Sequence, residues 1–184
     1  MAVGRTRDGT PLLRTTPVVD GADPNDFHYD LDPVGRRCPL FAHIRKTNPR
    51  GDVPRYIAPG TADFERARRI VRRGITYGER PDLADPPVGG PPSSGIGLLF
   101  LCFWSNIDQF MIQQDGSDSD HFVRADVGVN AVIGQHPDPL PQRWPRGVAF
   151  SMANFVTMRG GEYLFASSMP FMAGLADVGA GMPL

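Results

Sequence analysis

An α+β fold is predicted by three features of the sequence: an apolar strand, an amphipathic helix directly after it, and a hairpin turned by two glycines. The strand is the run IGLLFLCFW at 96–104, the helix is SNIDQFMIQQ at 105–114, and the hairpin lies at 155–167. A strand, a helix, a long loop and a hairpin in this order indicate a compact α+β sandwich.

The first half of the chain is predicted to be rich in loops. Residues 1–37 contain the turn-forming stretches DGT, DGADPND and DPVG. The run TADFERARRIVRRG predicts a helix over 61–71, because Thr61 is a suitable N-cap, acids come early and arginines come late. Residues 81–95, with five prolines and three glycines, form a loop that separates the two halves.

The second half supplies the regular elements. Residues 96–104 are mostly apolar β-formers bounded by turn-forming residues, which predicts a strand buried on both faces. The spacing within 105–114 predicts a helix that packs Ile107, Phe110 and Met111 inward.

The C-terminal part is predicted to be loop-rich over 115–147 and then to form a hairpin. Its strands are expected at 155–159 and 162–167, joined by a turn at Gly160 and Gly161. The chain therefore carries an antiparallel element after a long irregular stretch.

Length and charge exclude several function classes. The chain has 184 residues, enough for one domain with a real core, and 19 basic against 20 acidic residues. A nearly neutral protein has no overall field that would attract nucleic acid or anionic lipid. Cys38 and Cys102 are too few for a disulfide framework, so reduced thiols are expected. The first thirty residues lack the apolar core of a secretory signal.

The histidines offer no local multi-histidine metal site. They are His28, His43, His121 and His136, and no two of them stand three or four residues apart. A single-histidine axial ligand stays open, although a lone histidine is more often a hydrogen-bonded structural residue.

Four segments carry a resemblance to a known family. In order they are CPLFAHIRKTNPR, RRIVRRGITYG, GLLFLCFWSNIDQF and FVTMRGGEYLF, preceded by VGRTRDGTPL and DPVGRRCP. Together they resemble the C-terminal half of the dye-decolorizing peroxidases, which are haem enzymes. The resemblance implies a ferredoxin-like C-terminal half of a dimeric α+β barrel, an antiparallel sheet packed with helices. Residues 1–60 would then be a loop-rich segment carrying the proximal histidine, and 61–184 the ferredoxin-like domain.

The resemblance also implies the roles of individual residues. It places the proximal ligand of the iron of haem b on His43. A carboxylate on the other ring nitrogen would raise the electron donation of this ligand, and Asp108 is the candidate, with an exposed acid at a helix end as the alternative. The distal arginine falls on Arg72, where a permanently charged fork would stabilise charge on the departing peroxide oxygen, and Arg73 is the choice if the register differs by one.

Further residues are expected near the cofactor. Leu98 and Phe100 alternate along a strand, so they share one face, which serves either as a wall of the distal haem pocket or as ordinary core. Arg45 and Lys46 would offer cations to the haem propionates, the alternative being a solvated basic face.

The sequence departs from the family in one motif and in extent. The family's distal aspartate lies in a GxxDG motif that this sequence lacks; GRTRDG has one residue too many, so Asp8 is not assigned that role. The N-terminal half of the family fold is also missing, which predicts either a truncated or a split form. An apolar surface left uncovered would favour a homo-oligomer or pairing with the missing half.

The resemblance thus implies a haem peroxidase that uses hydrogen peroxide to oxidise dyes, phenolics or similar bulky electron donors. The alternative is a fragment that binds haem but is catalytically impaired because it lacks the distal aspartate. A third hypothesis, a small phosphate-binding module, is disfavoured by the neutral charge and the absence of aromatic residues among the basic ones. No nucleic-acid or membrane partner is expected, and the expected location is the cytoplasm.

Overall fold

The structure is a computed structural model that describes residues 2–14, 25–56, 62–79, 94–119, 127–135, 142–143, 149–150 and 156–180. The elements run in the order α1 His43–Thr47, α2 Asp52–Tyr56, α3 Ala62–Arg66, β1 Val71–Tyr77, β2 Gly97–Phe103, α4 Ile107–Asp118, β3 Gln142–Arg143, β4 Ala149–Phe150 and α5 Met169–Ala180. Helices and antiparallel strands occur together, so the predicted α+β class is confirmed.

The N-terminal segment before α1 is irregular, as predicted. Within residues 2–14 and 25–37 it contains turns, a 3-10 helix at Tyr29–Leu31 and one isolated bridge between Arg5 and Pro11. The division of the chain into 1–60 and 61–184 stays a prediction. Residues 81–93, most of the predicted proline-rich loop, lie outside the described residues.

Strands β1 and β2 form a two-stranded antiparallel ribbon, in register from Val71 opposite Phe103 to Tyr77 opposite Gly97. The strand predicted at 96–104 is therefore confirmed. Its predicted burial on both faces is wrong, because Leu98 and Leu99 on the two faces are 57% and 63% exposed. An apolar composition indicates that a strand favours burial. Burial also needs a covering layer, and no layer of the described residues covers this ribbon.

The helix predicted over 61–71 is shorter than expected. Helix α3 ends at Arg66, a turn follows, and β1 begins at Val71, so Arg72 lies on a strand and not at a helix end. The β-branched and aromatic residues of β1 favour extended backbone. Pairing with β2 then stabilises the strand over the predicted helix. The predicted N-cap Thr61 lies outside the described residues.

Helix α4 confirms the helix predicted at 105–114 and continues to Asp118. Its N-cap is Asn106, whose side chain accepts a hydrogen bond from the backbone N–H of Asp108. The predicted inward face is only partly right: Ile107 is 51% exposed and Met111 44% exposed.

Phe110 is the member of that face that does pack. It is half-buried and lies edge-on to Trp104, with ring centroids 5.3 Å apart, and to Tyr163 at 5.9 Å.

The hairpin predicted near the C-terminus is not formed in the described residues. Residues 156–168 have no assigned strand, residue 155 lies outside the described part, and α5 follows. The short β3–β4 ribbon falls partly in the stretch predicted as loop. A strand-like sequence becomes a strand only when a ladder partner is present, and an isolated hairpin is marginal in water.

The interior is concentrated around the N-terminal helices. The buried side chains there are Tyr29, Cys38, Phe41, Ala42 and Val53. At their centre lies a charged residue, Arg45, which is 1% exposed.

Arg45 is held by two carboxylates. Its Nε and Nη2 donate to the carboxylate of Asp52, at 2.6 and 3.0 Å, and Nη1 lies 3.3 Å from Asp32 Oδ2. Nη1 and Nη2 also donate to the carbonyl oxygens of Cys38 and Asp32, at 2.8 and 2.9 Å, and the guanidinium lies 4.2 Å from the centroid of the Tyr29 ring. A buried charge is tolerated only when it is paired and hydrogen-bonded, as this one is.

Replacement of Asp52 should be severely destabilising. The Asp52→Asn change leaves Arg45 buried without its main counter-charge, and loss of one partner of a buried pair costs about 3–5 kcal/mol. Urea unfolding followed by circular dichroism measures the free energy of unfolding.

The matched control is Asp63→Asn. Asp63 also lies in the first turn of a five-residue helix and also pairs with an arginine, Arg66, but its side chain is 84% exposed. Its removal should cost less than about 1 kcal/mol. Equal effects of the two substitutions would contradict the central role of the Arg45–Asp52 pair.

Candidate functional site

His43, the predicted proximal ligand, is the first residue of α1 and is half-buried. Helix α1 begins here because its first N–H groups find acceptors in the N-terminal segment: His43 N donates to Ala2 O at 2.9 Å and Ile44 N to Val3 O at 3.1 Å. The ring is therefore anchored at a defined helix start and not on a loop.

One ring nitrogen of His43 is engaged by an asparagine. His43 Nδ1 lies 3.1 Å from Asn130 Nδ2, and Asn130 is 2% exposed. Within the described part of the chain, the other nitrogen, Nε2, has no hydrogen-bond partner. An imidazole held through one nitrogen and free at the other is suited to bind a metal ion.

Asp108, the predicted carboxylate partner of His43, takes no such position. Its side chain is exposed in the first turn of α4, and the contact to Nδ1 is made by Asn130 instead. Sequence reasoning missed Asn130 because it lies 87 residues from His43, with no local motif that connects them.

Arg45 and Lys46 are not free basic groups. The five N–H donors of Arg45 are all used by Asp32, Asp52 and Cys38 O, so none is left for a propionate. Lys46 is fully buried, and its Nζ donates to Gly116 O and Ser119 O, both at 2.7 Å. Both side chains are engaged within the protein, so the structure does not support the expectation that Arg45 and Lys46 bind haem propionates.

The distal candidates share one face of the β1–β2 ribbon. Arg72 lies opposite Cys102, Gly74 opposite Phe100, and residue 76 opposite Leu98. Because directly opposed residues of an antiparallel pair project to the same side, Arg72, Leu98 and Phe100 lie on one face. Gly74 contributes no side chain at the centre of this face.

Arg73, the alternative to Arg72, is opposite Leu101 and belongs to the other face of the ribbon. The two arginines are therefore structurally distinct, although they are neighbours in sequence.

The electrostatics of the site keep His43 neutral. Burial lowers the pKa of His43, the contact with Asn130 opposes this shift, and the positive charge of Arg72 lowers the pKa further, so that the net direction is downward. A neutral imidazole is the form that binds a metal.

These residues fit a haem group. His43 is a half-buried imidazole whose Nε2 has no hydrogen-bond partner among the described residues, while Arg72, Leu98 and Phe100 provide a cation and apolar surface on one face of a ribbon. No cluster of three or more histidine, cysteine, aspartate or glutamate side chains suited to a metal occurs in the described ranges.

Comparison with known proteins gives a consistent result. No protein-family model matches the chain. The multifunctional dye peroxidase DyP2 of Amycolatopsis sp. is 36% identical over 95% of this chain and 40% of its own length. The dye-decolorizing peroxidase AauDyP1 of Auricularia auricula-judae is 31% identical over 94% of this chain and 38% of its own length.

Solved structures agree. The DyP-type peroxidase of Anabaena sp. superposes with a TM-score of 0.67 at 38% identity, covering 86% of this chain and 34% of that chain. The predicted ferredoxin-like α+β fold class is therefore confirmed. The chain spans about two fifths of the length of these relatives, which is consistent with the prediction that it corresponds to one half of the family fold.

Gly134 should be required for the loop that presents Asn130. A Cβ added to Gly134 would lie 2.3 Å from Val129 Cγ1 and 2.7 Å from Asn130 O, too close for either to be accommodated without a shift. Gly134→Ala should lower the free energy of unfolding by about 1–3 kcal/mol, as overpacking does, measured by urea titration.

Gly174→Ala is the control, since an added Cβ on this exposed position of α5 meets nothing within 4 Å. It should be neutral or stabilising by up to about 1 kcal/mol. A Gly134→Ala variant as stable as the Gly174→Ala variant would show that the loop is not packed as described.

Proposed function

Because the chain is homologous to the DyP-type dye-decolorizing peroxidases over 95% of its length, we propose that it binds haem b through His43 and forms part of a peroxidase site. The site would use hydrogen peroxide to oxidise a bulky organic donor such as a dye or a phenol. The observations that carry the proposal are the half-buried ring of His43, anchored at Nδ1 by Asn130, and the position of Arg72 on one face of the ribbon with Leu98 and Phe100.

Each residue has a defined task in the proposed mechanism. When bound, haem supplies the redox chemistry through which peroxide is reduced and a donor oxidised. His43 Nε2 would hold the iron, and the hydrogen bond at Nδ1 orients the ring. Leu98 and Phe100 would exclude water beside the cofactor, which strengthens every electrostatic interaction there.

Arg72 would act as the electrostatic catalyst. Cleavage of the peroxide O–O bond develops negative charge on the departing oxygen. A guanidinium is permanently protonated and presents a fork of N–H donors, so it stabilises that charge without giving up a proton. The position of Arg72 on the face that it shares with Leu98 and Phe100 supports this role.

The proposed partner is a polypeptide that supplies the remainder of the family fold. The relatives are longer than this chain, which corresponds to about two fifths of their length. The β1–β2 ribbon exposes large apolar side chains on both faces, among them Leu99, Phe100 and Leu101. An exposed apolar surface of this kind is typical of an interface.

Location is proposed to be the cytoplasm. Cys38 and Cys102 are both unpaired, which suits a reducing compartment, and burial raises the pKa of Cys38 to about 11, so this thiol is unreactive. Among the described residues, no helix has both the length and the apolar character needed to cross a bilayer.

Haem binding is tested by reconstituting the chain with hemin and recording the Soret band. His43→Ala should weaken the band and lower its affinity for hemin, because the iron loses its protein ligand. His28→Ala is the control, since His28 is exposed outside the site and should leave the band unchanged. An undiminished Soret band in His43→Ala would refute the proposed ligand.

Peroxide-dependent dye bleaching tests the role of Arg72 in the haem-loaded protein. Arg72→Leu should retain the Soret band but reduce kcat by about 100- to 1000-fold, as loss of one donor to a developing oxyanion does. Arg73→Leu, on the opposite face of β1, should change kcat little. A large loss of kcat in Arg73→Leu but not in Arg72→Leu would assign the catalytic role to Arg73. If the unmodified chain binds haem but bleaches no dye, it is a haem-binding protein without turnover.

A further inference from the structure

The contact between His43 and Asn130 carries an inference that deepens the proposed function and, for its haem-binding consequence, rests on it. We propose that Asn130 is a positioning residue that fixes both the orientation and the tautomer of the His43 ring. In doing so it places the ring proton on Nε2, the nitrogen that would face the iron, so that iron binding would require this proton to leave Nε2. Asn130 therefore sets how strongly the chain binds haem.

The orientation of the Asn130 amide follows from its backbone contacts. Its Oδ1 accepts hydrogen bonds from Val132 N at 3.0 Å and Ile133 N at 3.3 Å. An oxygen is required on that side, because the two backbone groups can only donate. The amide nitrogen must then point the other way, towards His43 Nδ1 at 3.1 Å.

The tautomer follows from the direction of that hydrogen bond. Asn130 Nδ2 is a donor, so His43 Nδ1 must accept. A neutral imidazole carries one proton, and with Nδ1 as the acceptor that proton lies on Nε2. A carboxylate partner would impose the opposite tautomer, with the proton on Nδ1 and the lone pair of Nε2 free for a metal.

The geometry cannot easily adjust, because the loop of Asn130 is fixed to α4. Asn130 N donates to Ser117 O at 2.9 Å, and Gln135 N donates to Asp118 Oδ1 at 2.7 Å. Rotation of the amide by half a turn would place its N–H₂ group against Val132 N and Ile133 N, leaving buried donors facing each other.

The helix of His43 is tied to the same end of α4. Lys46 Nζ donates to Gly116 O and Ser119 O, and Gln113 Nε2 donates to Lys46 O at 3.2 Å. The segments that carry His43 and Asn130 are thus both hydrogen-bonded to the C-terminal half of α4. Their separation is set by α4 and not by either side chain alone.

Asn130→Asp is the decisive variant because it is isosteric. One carboxylate oxygen would still accept from Val132 N and Ile133 N, and the other would accept from a proton on His43 Nδ1. The asparagine-to-aspartate change therefore reverses the tautomer while it keeps the backbone contacts.

The tautomer is measured on the haem-free full chain by nitrogen-15 NMR of the histidine rings, at a pH where His43 is neutral. The unmodified chain should show His43 with the proton on Nε2, and Asn130→Asp should show it on Nδ1. A proton on Nδ1 in the unmodified chain, a measurement that needs no variant, would overturn the proposal, and so would an unchanged tautomer in Asn130→Asp.

Hemin titration measures the consequence for the ligand. Asn130→Asp should bind hemin about 10- to 100-fold more tightly, the range by which partners of a metal-bound histidine tune affinity. Asn106→Asp, the same change at the exposed N-cap of α4, should leave hemin affinity and the His43 tautomer unchanged. Equal hemin affinity of Asn130→Asp and the unmodified chain would refute the effect on binding.

The two levels of the proposal fail separately. If no variant binds hemin through His43, the proposed haem function fails, while the NMR experiment still decides whether Asn130 fixes the tautomer. If hemin binds and His43→Ala abolishes binding but Asn130→Asp changes neither measurement, the haem function stands and the role of Asn130 is refuted.

Discussion

The buried ion pair between Arg45 and Asp52 is the constraint on which the rest of the described structure depends. Arg45 lies on α1 two residues after His43, and Asp52 opens α2, so their contact fixes the angle between the two helices. Asp32 connects the preceding loop to this ion pair. Its carboxylate contacts Arg45 and also accepts hydrogen bonds from the backbone N–H groups of Arg36, Arg37 and Cys38. A charge that is fully desolvated has few geometries in which all its donors are satisfied, and this makes the start of α1 rigid.

Helix α4 connects this ion pair to the candidate haem ligand, because both Lys46 and Asn130 are hydrogen-bonded to its C-terminal end. Lys46, next to Arg45, is buried with its ammonium on the carbonyl groups at the C-terminal end of α4, where the backbone of a helix offers unpaired acceptors. The same end of α4 accepts from Asn130, the residue that contacts His43. Two basic side chains that the sequence would place on a solvated surface thus act as internal supports for a ring beside them. Among the described residues, the imidazole of His43 has Nδ1 held by Asn130 and Nε2 without a hydrogen-bond partner.

The β1–β2 ribbon has the opposite character. It has the composition of a buried sheet, yet its side chains are exposed on both faces within the described part of the chain. Apolar area of this kind is favourable only when it is removed from water, at about 25 cal/mol per Å². Under the proposed function, a partner that covered this ribbon would also cover Arg72, which would link assembly to haem binding.

The sequence by itself determined the α+β class, the strand at β2, the helix α4 and the relationship of the chain to a family of longer peroxidases. These features follow from local composition and from the order of segments along the chain, both of which can be read directly from a sequence. Only the tertiary structure decided that helix α3 ends at Arg66 and that β1 begins at Val71, since strand pairing with β2 outweighs the local preference, and that residues 162–167 form no strand. It also decided the burial of Arg45 and Lys46 and the choice of Asn130 over Asp108 beside His43. Each of these depends on a contact between residues far apart in the chain, and a hydrogen-bond partner 87 residues away has no signature in local sequence.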